Sequence, residues 1–129
     1  MLESLLTVIQ PVNLMWIVIG SVVGAIIGAL PGLTATMGVA LFIPLTFAME
    51  PASGLILLAA VYAAASFGGN ITAILIKTPG TPDSFFMVMD GYPMTLKGEG
   101  RKAMSVTTIT ATIGGVVGAL TLLFLAPPL

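Results

Sequence analysis

The sequence predicts an all-α, polytopic membrane helix bundle whose helices are discontinuous, broken at Pro-Gly steps or re-entrant. Three observations predict it. Apolar residues make up 57% of the 129 residues and charged residues only 7%, against about 25% charged in a soluble domain; mean hydropathy is +1.14. The charges are also confined. Lys77, Asp83, Asp90, Lys97, Glu99, Arg101 and Lys102 share one window, which leaves only Glu3 and Glu50 elsewhere, and long charge-free stretches are what a hydrocarbon solvent demands. Lastly, Pro31-Gly32 and Pro79-Gly80 interrupt apolar runs. Proline removes a backbone donor and glycine frees φ, so both work against a continuous helix.

Taken in order, residues 1–12 read as an interfacial segment: a short amphipathic helix over 1–10, closed by Pro11. Asn13 is placed to cap the next helix and Trp16 to anchor it at the membrane surface. Residues 14–48 form either two short spans or one helix broken around Pro31-Gly32. Glu50-Pro51 marks a polar boundary, and Ser53 suits a cap. Residues 53–80 then read as a helix to about Phe67, stopped by Gly68-Gly69-Asn70, followed by a re-entrant apolar stub from Ile71 to Ile76. Irregular backbone at membrane depth survives only where protein or a water-filled cavity satisfies it. Residues 83–102 read as a polar loop, with Asp83 and Ser84 able to cap a short helix. Residues 103–126 form a transmembrane helix long enough to span with tilt. The whole is one transmembrane domain, 1–129, and a partial fold. Lys97, Arg101 and Lys102 before the last helix place 83–102 in the cytoplasm by the positive-inside rule.

Several function classes fall away. The net charge of −1 gives no basic footprint for nucleic acid. Without Cys or His there is no thiol chemistry, no usual zinc site and no Ser–His catalysis. No cofactor is implied. A cleaved leader is disfavoured, because Glu3 stands where basic residues would and no A-x-A-like site follows. The few ionisable groups carry no catalytic spacing, so an enzyme is the least supported class.

Small residues recur at spacing four, at Gly20, Gly24 and Gly28 and again at Gly114 and Gly118. Such stripes let helix backbones approach closely; they serve packing within one subunit or a dimer face. The Pro-Gly breaks are either ordinary loops outside the membrane or half-helix ends. At a half-helix N-terminus unpaired N–H groups suit an anion, and exposed carbonyls at the other end suit Na+ or H+. Hydroxyls flank both breaks, Thr34 and Thr36 near the first, Thr72, Thr78 and Thr81 near the second. Lys77 is a snorkelling anchor or a cation facing a carboxylate. Asp90-Gly91-Tyr92-Pro93 reads as a tight turn, with ion coupling through Asp90 the alternative.

These residues carry a resemblance. Gly24-x3-Gly28-x2-Pro31-Gly32-Leu33, Pro44-Leu45-Thr46-Phe47, Gly68-Gly69-Asn70-Ile71-Thr72-Ala73-Ile74-Leu75, Thr78-Pro79-Gly80 and Asp90-Gly91-Tyr92-Pro93-Met94 occur in the order and spacing of the tripartite tricarboxylate transporter large membrane subunits. The chain resembles these TctA-like permeases from about residue 13 onward. Family members are several times longer, so the resemblance implies an N-terminal part. Four positions depart from the family pattern: Thr34-Ala35 where Gly-Pro often stands, Asn70 for a Ser, and Lys77 for an Asn.

The resemblance further implies a multi-pass protein of the bacterial inner membrane. It would import carboxylates such as citrate on a cation gradient, with Na+ or H+ as the coupling ion. Its partners would be a small membrane subunit and a periplasmic solute-binding protein. The residues expected at the substrate are Pro31, Gly32, Thr34, Gly69, Asn70, Thr72, Thr78, Pro79 and Gly80, with Lys77 and Asp90 as candidates for ion coupling or substrate contact. The two breaks are expected to approach each other near mid-membrane and form half of a carboxylate site. The rival reading is a small structural or assembly membrane protein with no substrate site.

Overall fold

The computed structural model describes residues 2–125, so the expected helix end at Ala126 lies outside the described residues. All regular structure among them is helical: α1 (Leu2–Ile9), α2 (Pro11–Ala29), α3 (Ala35–Thr46), α4 (Pro51–Ile76), α5 (Phe85–Leu96) and α6 (Gly100–Leu125), with one 3-10 turn at Pro82–Ser84 ahead of α5. Helices α2, α4 and α6 are long and apolar enough to cross a membrane. The 19 residues of α2 and the 26 of α4 extend roughly 28 and 39 Å at 1.5 Å per residue. Helix α3, with 12 residues, is too short to span.

Both core helices start on proline. Pro11 and Pro51 each occupy the first turn, where a missing N–H costs nothing and the fixed φ suits the helix. Pro11 therefore opens α2 instead of merely closing α1, and Asn13 is not a cap. It lies inside α2, 1% exposed. Its Nδ2 donates to the Thr7 carbonyl at 2.7 Å, and its Oδ1 accepts from Ser53 Oγ at 2.6 Å. Ser53 is likewise inside α4, not at its cap. In an apolar bundle this buried pair satisfies groups that have no other outlet, and it ties α1, α2 and α4 together at one end.

Above that clamp, α2 and α4 run parallel and touch backbone to backbone. A Cβ on Gly20 would lie 2.9 Å from Ala60 Cβ and 3.0 Å from the Leu57 carbonyl. On Gly24 it would strike the Val61 carbonyl, and on Gly28 that of Ala65. Leu57, Val61 and Ala65 are fully buried and repeat at the same four-residue spacing. The glycine stripe thus serves packing within the chain. Helix α3 descends between them: Gly38 faces Ile27 and Val61, and Gly54 of α4 faces Thr46.

Three expectations are corrected here. Helix α4 does not stop at Gly68-Gly69-Asn70; the stub Ile71–Ile76 is its last turns. Each glycine costs a helix about 1 kcal/mol, but a Cβ on Gly68 would strike the Ala25 carbonyl and one on Gly69 the Thr81 hydroxyl, so these glycines are there for close approach. The polar loop 83–102 is mostly helix, since α5 fills Phe85–Leu96. Within it Asp90-Gly91-Tyr92-Pro93 is helical, not a turn: Gly91 is buried under Ile74, and Thr95 Oγ1 donates to the Ile74 carbonyl at 2.7 Å. Tertiary contact overrides turn propensity at both places. Finally, Gly114 and Gly118 meet nothing within 4 Å. Among the described residues, only Ala103 and Thr107 of α6 are buried, and its most apolar stretch makes no buried contact with the chain.

Two outcomes follow for stability. Gly28→Leu will abolish the folded, monodisperse protein in detergent after mild heating, whereas Gly118→Leu will leave this chain's own packing intact; equal damage from both would refute the assignment of the two stripes. Asn13→Ala strands the Ser53 hydroxyl and frees α1. It will lower stability by about 1–3 kcal/mol and expose the chain to proteolysis before Gln10, as read by thermal unfolding and limited digestion.

Candidate functional site

Because α2 and α4 run parallel, the Pro-Gly break after α2 and the one after α4 lie at the same end of the pair. In the first, the Leu33 amide donates to the Leu30 carbonyl at 3.2 Å. Pro31 and Gly32 fill the middle of this turn, and Gly32 has φ +94°. That is the type II pattern, whose third position needs positive φ. Thr34 then caps α3, its Oγ1 accepting from the Met37 amide at 3.2 Å.

The second break begins at Lys77, which ends α4 in the left-handed region at φ 60°, ψ 21° and donates its amide to the Thr72 carbonyl. The chain then folds back across α4, and the Gly80 amide reaches the Gly69 carbonyl at 3.5 Å. Gly80 seats on the Gly28 carbonyl so closely that no Cβ would fit. Gly69 receives Thr81 in the same way: a Cβ there would meet the Thr81 hydroxyl, its amide at 2.8 Å and Ser84 Oγ at 3.1 Å. One glycine each from α2, α4 and the turn therefore brings the two breaks together.

Between them lies a cleft of about 440 Å³, with Gly32 and Thr34 on one side and Pro79, Gly80, Thr81, Pro82 and Phe85 on the other. No charged side chain lines it. Two helix starts open onto it instead. Thr34 is the N-cap of α3, and Thr81 is the N-cap of the 3-10 turn that leads into α5. The first N–H groups of a helix lack internal partners and carry partial positive charge, which favours an anion. At the second start Ser84 does the capping: its Oγ accepts from the Thr81 amide at 3.2 Å and donates to the Thr81 carbonyl at 2.6 Å. Thr81 Oγ1 is left with no hydrogen-bond partner, although Thr81 is only 3% exposed. An unsatisfied buried hydroxyl costs about 1–3 kcal/mol.

Of the residues expected at the site, Gly32, Thr34, Pro79 and Gly80 line the cleft, Pro31 forms the turn beside it, and Gly69 floors the second break. Asn70 is half-buried in α4 and does not line the cleft. Thr72 and Thr78 are turned to their own backbone, donating to the Gly69 carbonyl at 3.2 Å and the Ile76 carbonyl at 3.3 Å. Lys77 is exposed, with its ammonium 5.8 Å from the Tyr92 ring centroid, a cation–π distance. Asp90 lies elsewhere, on a cavity of about 220 Å³ between α5 and α6. Among the described residues no cluster of three or more His, Cys, Asp or Glu is placed to hold a metal ion. Gly28, Pro82 and Phe85 were missed. The signal for Gly28 was present, because its stripe runs directly into the Pro31-Gly32 break.

The fold defines a polytopic helical membrane protein with a charge-free cleft between its helix breaks. The chain belongs to the Tripartite tricarboxylate transporter TctA family, which it matches over residues 14–129. It is also 38% identical over 123 residues to a protein of Agrobacterium vitis described as an uncharacterized 52.8 kDa protein in the TAR-I ttuC' 3'region. That match takes in 95% of this chain and 24% of the relative, so the chain spans about a quarter of the relative's length. No solved structure matches it.

The left-handed cap gives a test. Asn is among the non-glycine residues best suited to that region, so Lys77→Asn will leave thermal stability equal to or above the wild type. Lys77→Val, β-branched at positive φ, will lower it by about 1–2 kcal/mol. The reverse order would show that the side chain, not the backbone conformation, sets the preference at this cap.

Proposed function

We propose that the chain supplies part of the membrane permease of a binding-protein-dependent system that imports carboxylates such as citrate across the bacterial inner membrane. Import runs on a cation gradient, with Na+ or H+ as the coupling ion. A small membrane subunit and a periplasmic solute-binding protein complete the assembly. Family membership supports the transport role, and the cleft supports the ligand class.

The observation that carries the reading is the meeting of the two Pro-Gly turns, Gly80 seated on the Gly28 carbonyl, with the starts of α3 and α5 opening onto one cleft. The start of α3 presents the positive end of its dipole to this space, beside the 3-10 turn that leads into α5, with no fixed cation. A carboxylate gains charge-assisted hydrogen bonds there, and the absence of a fixed positive charge eases its release, as a transport cycle requires. Gly32 and Pro31 hold the first turn open, and Gly69 and Gly80 let the second approach. On this reading Asn70, Thr72 and Thr78 shape the second break, with Asn70 the free polar side chain closest to it along α4. Lys77 and Asp90 act outside the cleft, as surface anchor and candidate coupling residue respectively. A purely structural or assembly role would need no such opening.

The test is made in a full-length family member. Asn tolerates the positive φ of the third position in this turn, and the space above Gly32 is open. Gly32→Asn will therefore fold and reach the membrane while its side chain fills the cleft. Uptake of labelled citrate should fall at least tenfold at wild-type expression; uptake at the wild-type rate would remove the cleft from the substrate path.

A further inference from the structure

We infer that Thr81 is the side chain that hydrogen-bonds the carboxylate in this cleft, donating its hydroxyl proton to a ligand oxygen. The inference rests on the reading of the cleft as a carboxylate site, and it adds the residue that recognises the ligand.

The other hydroxyls around the second break are engaged, and Asn70 does not line the cleft. Ser84 uses its hydroxyl on both the amide and the carbonyl of Thr81, and Thr72 and Thr78 donate to carbonyls of α4. Across the cleft, Thr34 Oγ1 accepts from the Met37 amide. Thr81 alone holds a buried hydroxyl with neither a donor nor an acceptor engaged. It faces Ser84 across a capping box, but the Ser84 amide donates to the Thr81 carbonyl at 3.1 Å and Thr81 Oγ1 makes no hydrogen bond of its own.

The surroundings select an anion over a cation. Thr81 stands where two helix starts open, and no acidic side chain lines the cleft. The local dipoles are positive ends, so the hydroxyl's proton, not its lone pairs, finds a complement in an arriving ligand. The oxygen is turned against Gly69. Rotation about χ1 by one staggered well takes it off the glycine, and the carboxylate supplies the partner it lacks. Binding thereby relieves an unsatisfied group, which makes the resting side chain a determinant of affinity.

The experiment uses the purified full-length transporter with labelled citrate, or succinate where the wild type does not retain citrate. Thr81→Val keeps the shape and removes the hydroxyl. Its thermal midpoint without ligand should equal or exceed the wild type, since no protein hydrogen bond is lost, while affinity should fall at least tenfold. Thr81→Ser should restore most of it. Affinity of Thr81→Val within twofold of the wild type would overturn the inference. Gly32→Asn in the same assay separates the two claims. If it loses binding while Thr81→Val does not, this inference fails and the cleft reading stands; if both bind normally, both fail. Should Thr81→Val not accumulate, Thr81→Ala decides, with a tenfold loss in favour and wild-type affinity against.

Discussion

At Gly24 the backbone of α2 lies against the carbonyl of Val61 with no side chain between them, and the same contact repeats one turn below at Gly20 and one turn above at Gly28. In water such a pair would be held largely by the exclusion of apolar surface from solvent. In lipid that drive is absent between helices, because the surrounding chains are as apolar as leucine. What remains is dispersion between closely packed atoms and hydrogen bonding shielded from water. The glycine stripe maximises the first. The Asn13–Ser53 clamp at the base of the same pair supplies the second. The fully buried hydrophobic side chains are few and small to medium in size, Leu57, Val61, Ala65, Ala73 and Ile74, so close backbone approach carries packing that a soluble domain would assign to bulky residues.

The same contact positions the site. A parallel α2–α4 pair needs a return segment between its members, and α3 provides it. The break that ends α2 and the break that ends α4 must then lie at one end of the pair. The glycine stripe does not stop at the helix end: Gly28, its last member, also accepts the Pro79-Gly80 turn, and Gly69 accepts Thr81. Packing and site construction therefore share residues. This is a reason for a discontinuous design, since a helix start delivers partial charge to a cleft that no charged side chain lines.

Much of this was legible in the sequence. Confinement of the charges to one window and the long apolar runs gave the helical membrane class, and the Pro-Gly pairs marked the two breaks where the chain does turn. Spacing-four glycines announced a close helix contact, correctly for Gly20 to Gly28. The same pattern at Gly114 and Gly118 finds no partner in this chain, because a stripe states that a helix can be approached but not by what. The misses share one cause. Gly68-Gly69-Asn70 and Asp90-Gly91-Tyr92-Pro93 carry strong local breaking signals, yet both continue as helix. Their glycines face Ala25, Thr81 and Ile74 from distant parts of the chain, and such contacts leave no mark in a local window. Asn13 misled in the same way: its residue type suits a cap, but its partner stands forty positions on, at Ser53. Thr81 was visible only as one hydroxyl among several, and its lack of a partner is a property of the folded arrangement alone.

The central claim is that the two Pro-Gly breaks face each other across a space that a carboxylate occupies. This chain contains no cysteine, so in a cysteine-free full-length family member paired cysteines at the positions of Thr34 and Pro82 can be bridged by a short bifunctional thiol reagent. The structure predicts efficient bridging in membranes, and the proposed carboxylate site predicts that a transported carboxylate slows it while the neutral amide does not. Failure to bridge, or bridging indifferent to the carboxylate, would contradict it.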